Sequence, residues 1–270
     1  MTSASRGGVG AWLDALAPNR AISPTVLRGI AVVQLGVVLA LWVISPLKVL
    51  PSPLEVIAAL RDLWMTQGLG QELVTSIGLN LEALAITLVV SLGLSYATVI
   101  PAMRPIVGAV SKGRFLGLVG LTLLFTLTVG GGRPLKIATL VFGMTVFFVT
   151  SMAAVILAIP RERFEHARTL RFGEWHVVRE VVVLGTAADA FEVLRQNAAM
   201  GWMMLTMVEG ISRSEGGVGA MLLNQNKQFH LAEVFAIQLV ILLVGVLQDW
   251  VIGVVKQAML PYAALETERR

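Results

Sequence analysis

A charge within a long apolar run is costly unless it faces a bundle interior, a partner charge or water, so ionisable groups in such runs mark the positions where this sequence can do chemistry. Three acids qualify: Glu82, Glu209 and Asp249. Glu82 and Glu209 can line an outer vestibule or gate on a translocation path. Equally, each can snorkel to the interface or pair with Arg133 or Lys136. Asp249 has Trp250 beside it and Lys256 two turns on, which reads as an interface anchor. Met200, Met203, Met204 and Met207, with Trp202, form a stripe near Glu209. It reads either as helix packing or as an adaptable surface at a moving interface, with Met203 and Met207 as pathway candidates.

Other chemistries lack their parts. There are no cysteines, and His166, His176 and His230 have no metal-ligand spacing, so no metal site is expected. Gly130, Gly131 and Gly132 precede Arg133-Pro134 rather than Lys-Ser or Lys-Thr, and they read as a tight turn, not a phosphate loop. Gly216, Gly217 and Gly219 read as a second structural turn. An intramembrane enzyme would need acids paired at one depth on facing spans, and only Glu82 with Glu209 offers that. No catalytic residue is expected. If the protein moves a solute against a gradient, the nucleotide chemistry lies on another chain.

The elements that position these residues follow from where the charges are. Of 270 residues 56% are apolar and only 14% charged. Soluble domains carry roughly 25% charged residues, so this chain lives in lipid. Uncharged gaps at 29–47, 83–103, 115–132 and 137–160 are 19, 21, 18 and 24 residues long. Each suffices to cross a hydrocarbon core of ~30 Å. Residues 196–212 and 234–255 add two more, each interrupted by one acid, Glu209 or Asp249. The expected fold is an all-α membrane protein of six spans, at about 29–47, 77–103, 115–132, 135–160, 191–212 and 234–255. They form one domain, 29–260, flanked by a segment 1–28 and a tail 261–270.

With alternating loops, one side holds 15 Lys and Arg and the other six. That split puts both termini in the cytoplasm. The first span serves as its own insertion signal, since no cleavable leader pattern precedes it. The net charge of +4 is a by-product of this topology and implies no nucleic acid.

Two segments outside the spans are patterned. Ser52-Pro53-Leu54-Glu55 is a capping box with Pro at the first helical position, so a helix is expected at 53–66 along the outer interface or as an extramembrane loop helix. Residues 160–184 carry five Arg and four Glu, yet keep Phe164, Ala167, Leu170, Val177 and Val181 about one turn apart. That predicts a cytoplasmic amphipathic helix pair. Its balanced charge favours a protein partner over an anionic lipid surface.

In order and spacing, residues 51–261 resemble the inner-membrane permease subunit of binding-protein-dependent ABC importers, of the nitrate, sulfonate and taurine type. The resemblance rests on Pro51 to Val56, Ser76, Gly130 to Gly132 with Lys136-Ile137, and Pro160 with Glu165 to Leu170 and Trp175. It continues through Trp202 to Glu209, Gly216 to Gly219, and Gly245 with Asp249. It implies a type I importer permease fold in a bacterial inner membrane, paired with a second permease chain as a homodimer or heterodimer. It also implies ATP-binding cassette subunits holding ATP and magnesium, an outer-side solute-binding protein, and no cofactor on this chain.

The resemblance further implies that segment 160–190 docks on the ATPase through Glu165, Ala167, Arg168, Leu170, Arg171, Gly173 and Trp175. The family pattern there is Glu-Ala-Ala, three residues, Gly, and later Leu-Pro. This chain has Arg171 at the Gly and Val183-Leu184 at the Leu-Pro. Arg resists the turn that Gly permits, so Gly173 is expected to supply it. Without the Pro, the second helix is expected to run on into the fifth span. These departures fit either a divergent homodimer or the degenerate half of a heterodimer. A small organic or inorganic anion, or a similar small solute, is the implied cargo; acids at the outer mouth favour a neutral or zwitterionic one.

Overall fold

A computed structural model describes residues 23–44, 50–212 and 215–261. The expected N-terminal segment as far as residue 22 and the tail from 262 lie outside the described residues. Among the described residues every regular element is helical. The chain divides into two compact units between Ala58 and Ala59.

The first unit contains α1, Pro24–Ile44, a 21-residue helix without a charge after Arg28. Helix α2, Pro53–Met65, begins in this unit at the capping box and continues past Ala58. The box forms as its residues require. The Ser52 N–H donates to Glu55 Oε2 at 2.8 Å, and the Glu55 N–H donates to Ser52 Oγ at 3.3 Å. Two helix-end donors are thereby satisfied reciprocally.

The second unit holds the remaining helices. They are α3, Leu69–Tyr96; α4, Arg104–Lys112; α5, Leu118–Val129; α6, Arg133–Leu157; α7, Arg161–Thr169; α8, Glu174–Val177; α9, Ala187–Ile211; α10, Val218–Lys227; and α11, Leu231–Met259. Its core is where α3, α6 and α9 meet. Leu140, Met144, Phe148, Met152 and Ile156 recur every four residues down α6, and they pack on Leu79, Ala83 and Leu84 of α3 and Val193, Ala198, Leu205 and Val208 of α9. Within a bilayer such contacts hold helices by close packing rather than by exclusion of water. The α5–α6 turn is made by Gly130 (φ +85°) and Gly132 (φ +74°), conformations that a side chain would disfavour.

Four helical stretches are long and apolar enough to cross a membrane: Pro24–Ile44, Leu69–Val99, Arg133–Leu157 and Leu231–Met259. A fifth exists if Pro101–Phe115 and Leu118–Val129, bent by 115°, count as one broken span. The chain is thus an α-helical protein of the multi-pass membrane type. Three expectations change in detail. The second span, expected from 77, begins at Leu69, because Glu82 and Glu72 are both bonded residues inside the helix rather than boundaries. The third, expected over 115–132, is a helix of only 12 residues, about 18 Å long. Extended Gly117 starts it and Gly130 stops it, so freedom from charge did not make a continuous helix. The fifth is a 25-residue helix of about 37 Å. Asp189, Glu192, Arg195 and Glu209 leave it less apolar than the others.

Between α6 and α9 the expected helix pair forms, with a correction at each end of α8. The turn after α7 is made by Arg171 itself, at φ +59°, while Gly173 stays at an ordinary φ of −67°. Helix α8 continues as a wide helical turn, Val178–Leu184, in which the Gly185 N–H donates to the Glu180 carbonyl at 3.0 Å. It then reaches α9 through a turn at Gly185 and Thr186 rather than running straight on.

Candidate functional site

Helix α9 has a built site at each end. At its Ile211 end, the chain passes from α9 into α10 through Gly216 and Gly217, whose φ angles are +69° and +108°. Helix α10 therefore starts with free N–H groups, and three side chains from other helices take them. The Gly217 N–H donates to Glu72 of α3, the Val218 N–H to Ser76 Oγ at 2.9 Å, and the Gly219 N–H to Glu209 Oε2 at 2.8 Å. The Ser76 hydroxyl in turn donates to Glu209 Oε1 at 2.7 Å. Two carboxylates thus sit where the α10 dipole is positive.

The junction is closed by Lys136 of α6, whose Nζ donates to the Gly216 carbonyl at 2.9 Å and whose charge acts on Glu209. Glu209 and Ser76 are fully buried and Lys136 is 1% exposed. Buried charges need compensation, and here the Ser76 hydroxyl and the Gly219 amide bond the Glu209 carboxyl while the Lys136 charge lies near enough to act on it. A Cβ at Gly217 would enter the Glu209 carboxylate, and one at Gly219 would lie 2.6 Å from the Thr206 Cα. Glycine is therefore required at 217 for conformation and for space.

Glu209, Gly216, Gly217 and Gly219 are thus brought together, with Ser76. Glu82 is not among them. It pairs with Arg133 at the start of α6, both side chains being nearly half exposed, as one of its two readings held. The two acids have no partner in common. The methionines also separate: Met204 is buried in the core, whereas Met203 is 70% and Met207 37% exposed. Met203, Trp202 and Thr206 line a groove of about 500 Å³ between α9 and α11.

At the other end of α9, the α7–α8 pair is held by a fork. Arg168 Nε and Nη2 donate to the two Glu174 oxygens at 3.0 and 3.1 Å. The hydrogen bonds and charge of Glu174 push the Arg168 guanidinium up, and those of Arg168 hold the Glu174 carboxyl below the usual carboxylate range. Ala167 is buried, while Glu165 and Arg168 lie on the surface. Around the Arg171 turn, Leu170, Phe172 and Trp175 are left exposed, Trp175 by 74%. The Phe172 and His176 rings pack with centroids 4.3 Å apart. The arrangement is an ordered, mixed-charge surface with apolar side chains at its tip.

Asp249 is also engaged. Its carboxylate is taken on both oxygens by Arg195 of α9, at 2.9 and 2.6 Å, while Lys256 bonds to Glu192 at 3.3 Å. It ties α11 to α9, with Arg195 rather than Lys256 as its cation. A further pair of bonds, from Trp202 Nε1 and Asn80 Nδ2 to Gln248 Oε1 at 2.7 and 2.9 Å, joins α3, α9 and α11.

Glu72, Arg195 and Gln248 were missed as bonded residues, and Lys136 was named only as a possible partner for an acid. Glu72 and Lys136 meet groups 145 and 80 residues away in the chain, so no local spacing marks them. The only signals were a lysine next to a span and an acid just outside one. No protein-family model matches this chain, and a search of curated proteins finds no match.

Proposed function

We propose that this protein is the transmembrane permease subunit of an ATP-binding-cassette importer, non-enzymatic itself and driven by ATPase chains that dock on the α7–α8 pair. One observation carries the reading. The exposed surface at Leu170, Phe172 and Trp175 leads through the wide turn and the short turn at Gly185 and Thr186 into α9, whose 25 residues run about 37 Å to the end that carries the buried Glu209 junction. A force applied to the pair would be passed along a stiff element to the opposite side of the bundle.

On this reading the chain has six spans with both termini in the cytoplasm of a bacterial inner membrane. The bent Pro101–Val129 segment and α9 supply the third and fifth. The junction faces outward, toward a solute-binding protein, and a second permease chain completes the path. Arg171 bears on the degenerate alternative. It adopts the left-handed turn that the family's Gly would permit, which favours a working docking loop over a decayed one.

Co-expression with candidate ATP-binding-cassette chains supplies the test. Replacing Glu165 and Arg168 together should uncouple ATP hydrolysis from solute uptake, with membrane insertion and complex assembly unchanged. Coupling that survives both substitutions would rule out this loop as the contact. Failure of any ATP-binding chain to co-purify would rule out the importer reading.

A further inference from the structure

We infer that the groove between α9 and α11 is a binding face for a small uncharged solute with an apolar body and an amide-like hydrogen-bonding edge. The inference rests on the transport reading only in calling that molecule a cargo. The groove holds about 500 Å³, within the range of small-molecule sites. Trp202, Met203, Leu242 and Val246 supply its apolar wall. Its one charged residue, Asp249, is engaged on both oxygens by Arg195. An inorganic anion would find no free cation there.

The polar end is what points to a ligand. Gln238 lies seven residues into α11, a helix apolar enough to span a membrane, and so about 10 Å from its first turn. Its side chain is exposed on the groove and makes no hydrogen bond among the described residues. An amide with every donor and acceptor unmet is costly against hydrocarbon. Thr206 lies in the same groove, and although its hydroxyl donates to the Met203 carbonyl at 2.9 Å, its oxygen can still accept. A carboxamide offers a donor and an acceptor side by side, which matches a solute edge of the same kind. The thioether of Met203, 70% exposed, offers a soft, adaptable contact for a ring. A second copy of the chain seated on this face would also cover the amide, and the test separates the two.

The chain has no cysteine, so single thiols report cleanly. Met203→Cys, Gln238→Cys and, on another face of α11, Leu243→Cys are made in the full-length protein in lipid nanodiscs. Leu243 is 67% exposed and does not line the groove. A hydrophilic, membrane-impermeant methanethiosulfonate should label the first two at least about tenfold faster than the third, because only a hydrated groove admits it. Nicotinamide, as an uncharged ring with an amide, should slow labelling at position 203, and sodium nitrate should not. Adding Gln238→Leu should remove that protection. Equal labelling at all three positions would make this a lipid-facing surface, and ready disulfide formation between two Gln238→Cys chains would make it a subunit interface; either overturns the inference. Protection by nitrate, or by neither compound, overturns the ligand class. No ATPase is present in these measurements, so they stand or fall apart from the coupling experiment.

Discussion

At the glycine end of α9, polar groups from α3, α6, α9 and α10 are turned on one another: Glu209, Ser76, Lys136 and the first amides of α10 form a closed, buried set. At the loop end, one Arg168–Glu174 fork ties α7 to α8, and Leu170 and Trp175 are left facing out. The difference separates two uses of charge. Buried and fully bonded, charge fixes four helices in one arrangement, and removing any member leaves a costly remainder. Exposed, it shapes a surface without contributing much to stability.

The hardest blow to that contrast would be struck at Lys136. Lys136→Ala should cost about 3–5 kcal/mol, because it strands the carboxylate beside it. Thermal unfolding in detergent reads this, and the double variant Lys136→Met with Glu209→Gln should lose much less than the two single changes added. Additive losses would mean the residues do not act as a unit. Next is Gly217→Ala, where an unfavourable φ of +108° and a collision with Glu209 combine. A loss of about 1–3 kcal/mol is expected, and a neutral result would mean that α10 is not pinned by its first turn.

Smaller effects belong to the loop. Arg171 holds a left-handed backbone without being glycine, so Arg171→Gly should stabilise by up to about 1 kcal/mol while Arg171→Val destabilises. Opposite signs in the same unfolding assay are the result to look for, and uptake should follow neither change closely if only the turn matters. The smallest effect is on pH dependence. The folded-state value of Glu174 is depressed by Arg168, so the fork is fully formed above the ordinary carboxylate range and is lost only as pH falls through that lowered value. Carboxyl NMR of Glu174 should show its midpoint return upward to the usual range in Arg168→Gln. An unchanged midpoint would mean that the fork does not form in solution.

How far these features were readable beforehand depended on the range of the interaction. The capping box at Ser52 and Glu55 spans three residues and formed as written. The α7–α8 pair followed from spacing within one segment, and the glycine turn before Arg133 from composition. Pairing of Glu82 with Arg133 followed from their shared level, although the gate reading was open beside it. The Glu209 junction was out of reach, since its bonds run to Ser76, 133 residues earlier, and to a helix start set by two glycines. Counting charge gaps also misled where charge is used internally. Glu82 bounded the second gap but lies inside α3, and Glu72, a further ten residues back in the same helix, is a ligand for the Gly217 amide. The third gap was free of charge but was interrupted by Gly117 and by a 115° bend.

The wide turn at Val178–Leu184 also governs the azimuth between the α7–α8 pair and α9. An α-helix turns about 100° with each residue, and a turn closed from residue i to i+5 holds one residue more than its neighbours. That extra residue therefore fixes which way the face bearing Leu170 and Trp175 points relative to Glu209. Deleting one residue between 178 and 184 would leave the exposed α7–α8 surface and the buried junction each intact and swing one about the other by roughly a quarter turn; on the importer reading, the protein would fold, insert and bind its ATPase yet pass the motion on in the wrong direction.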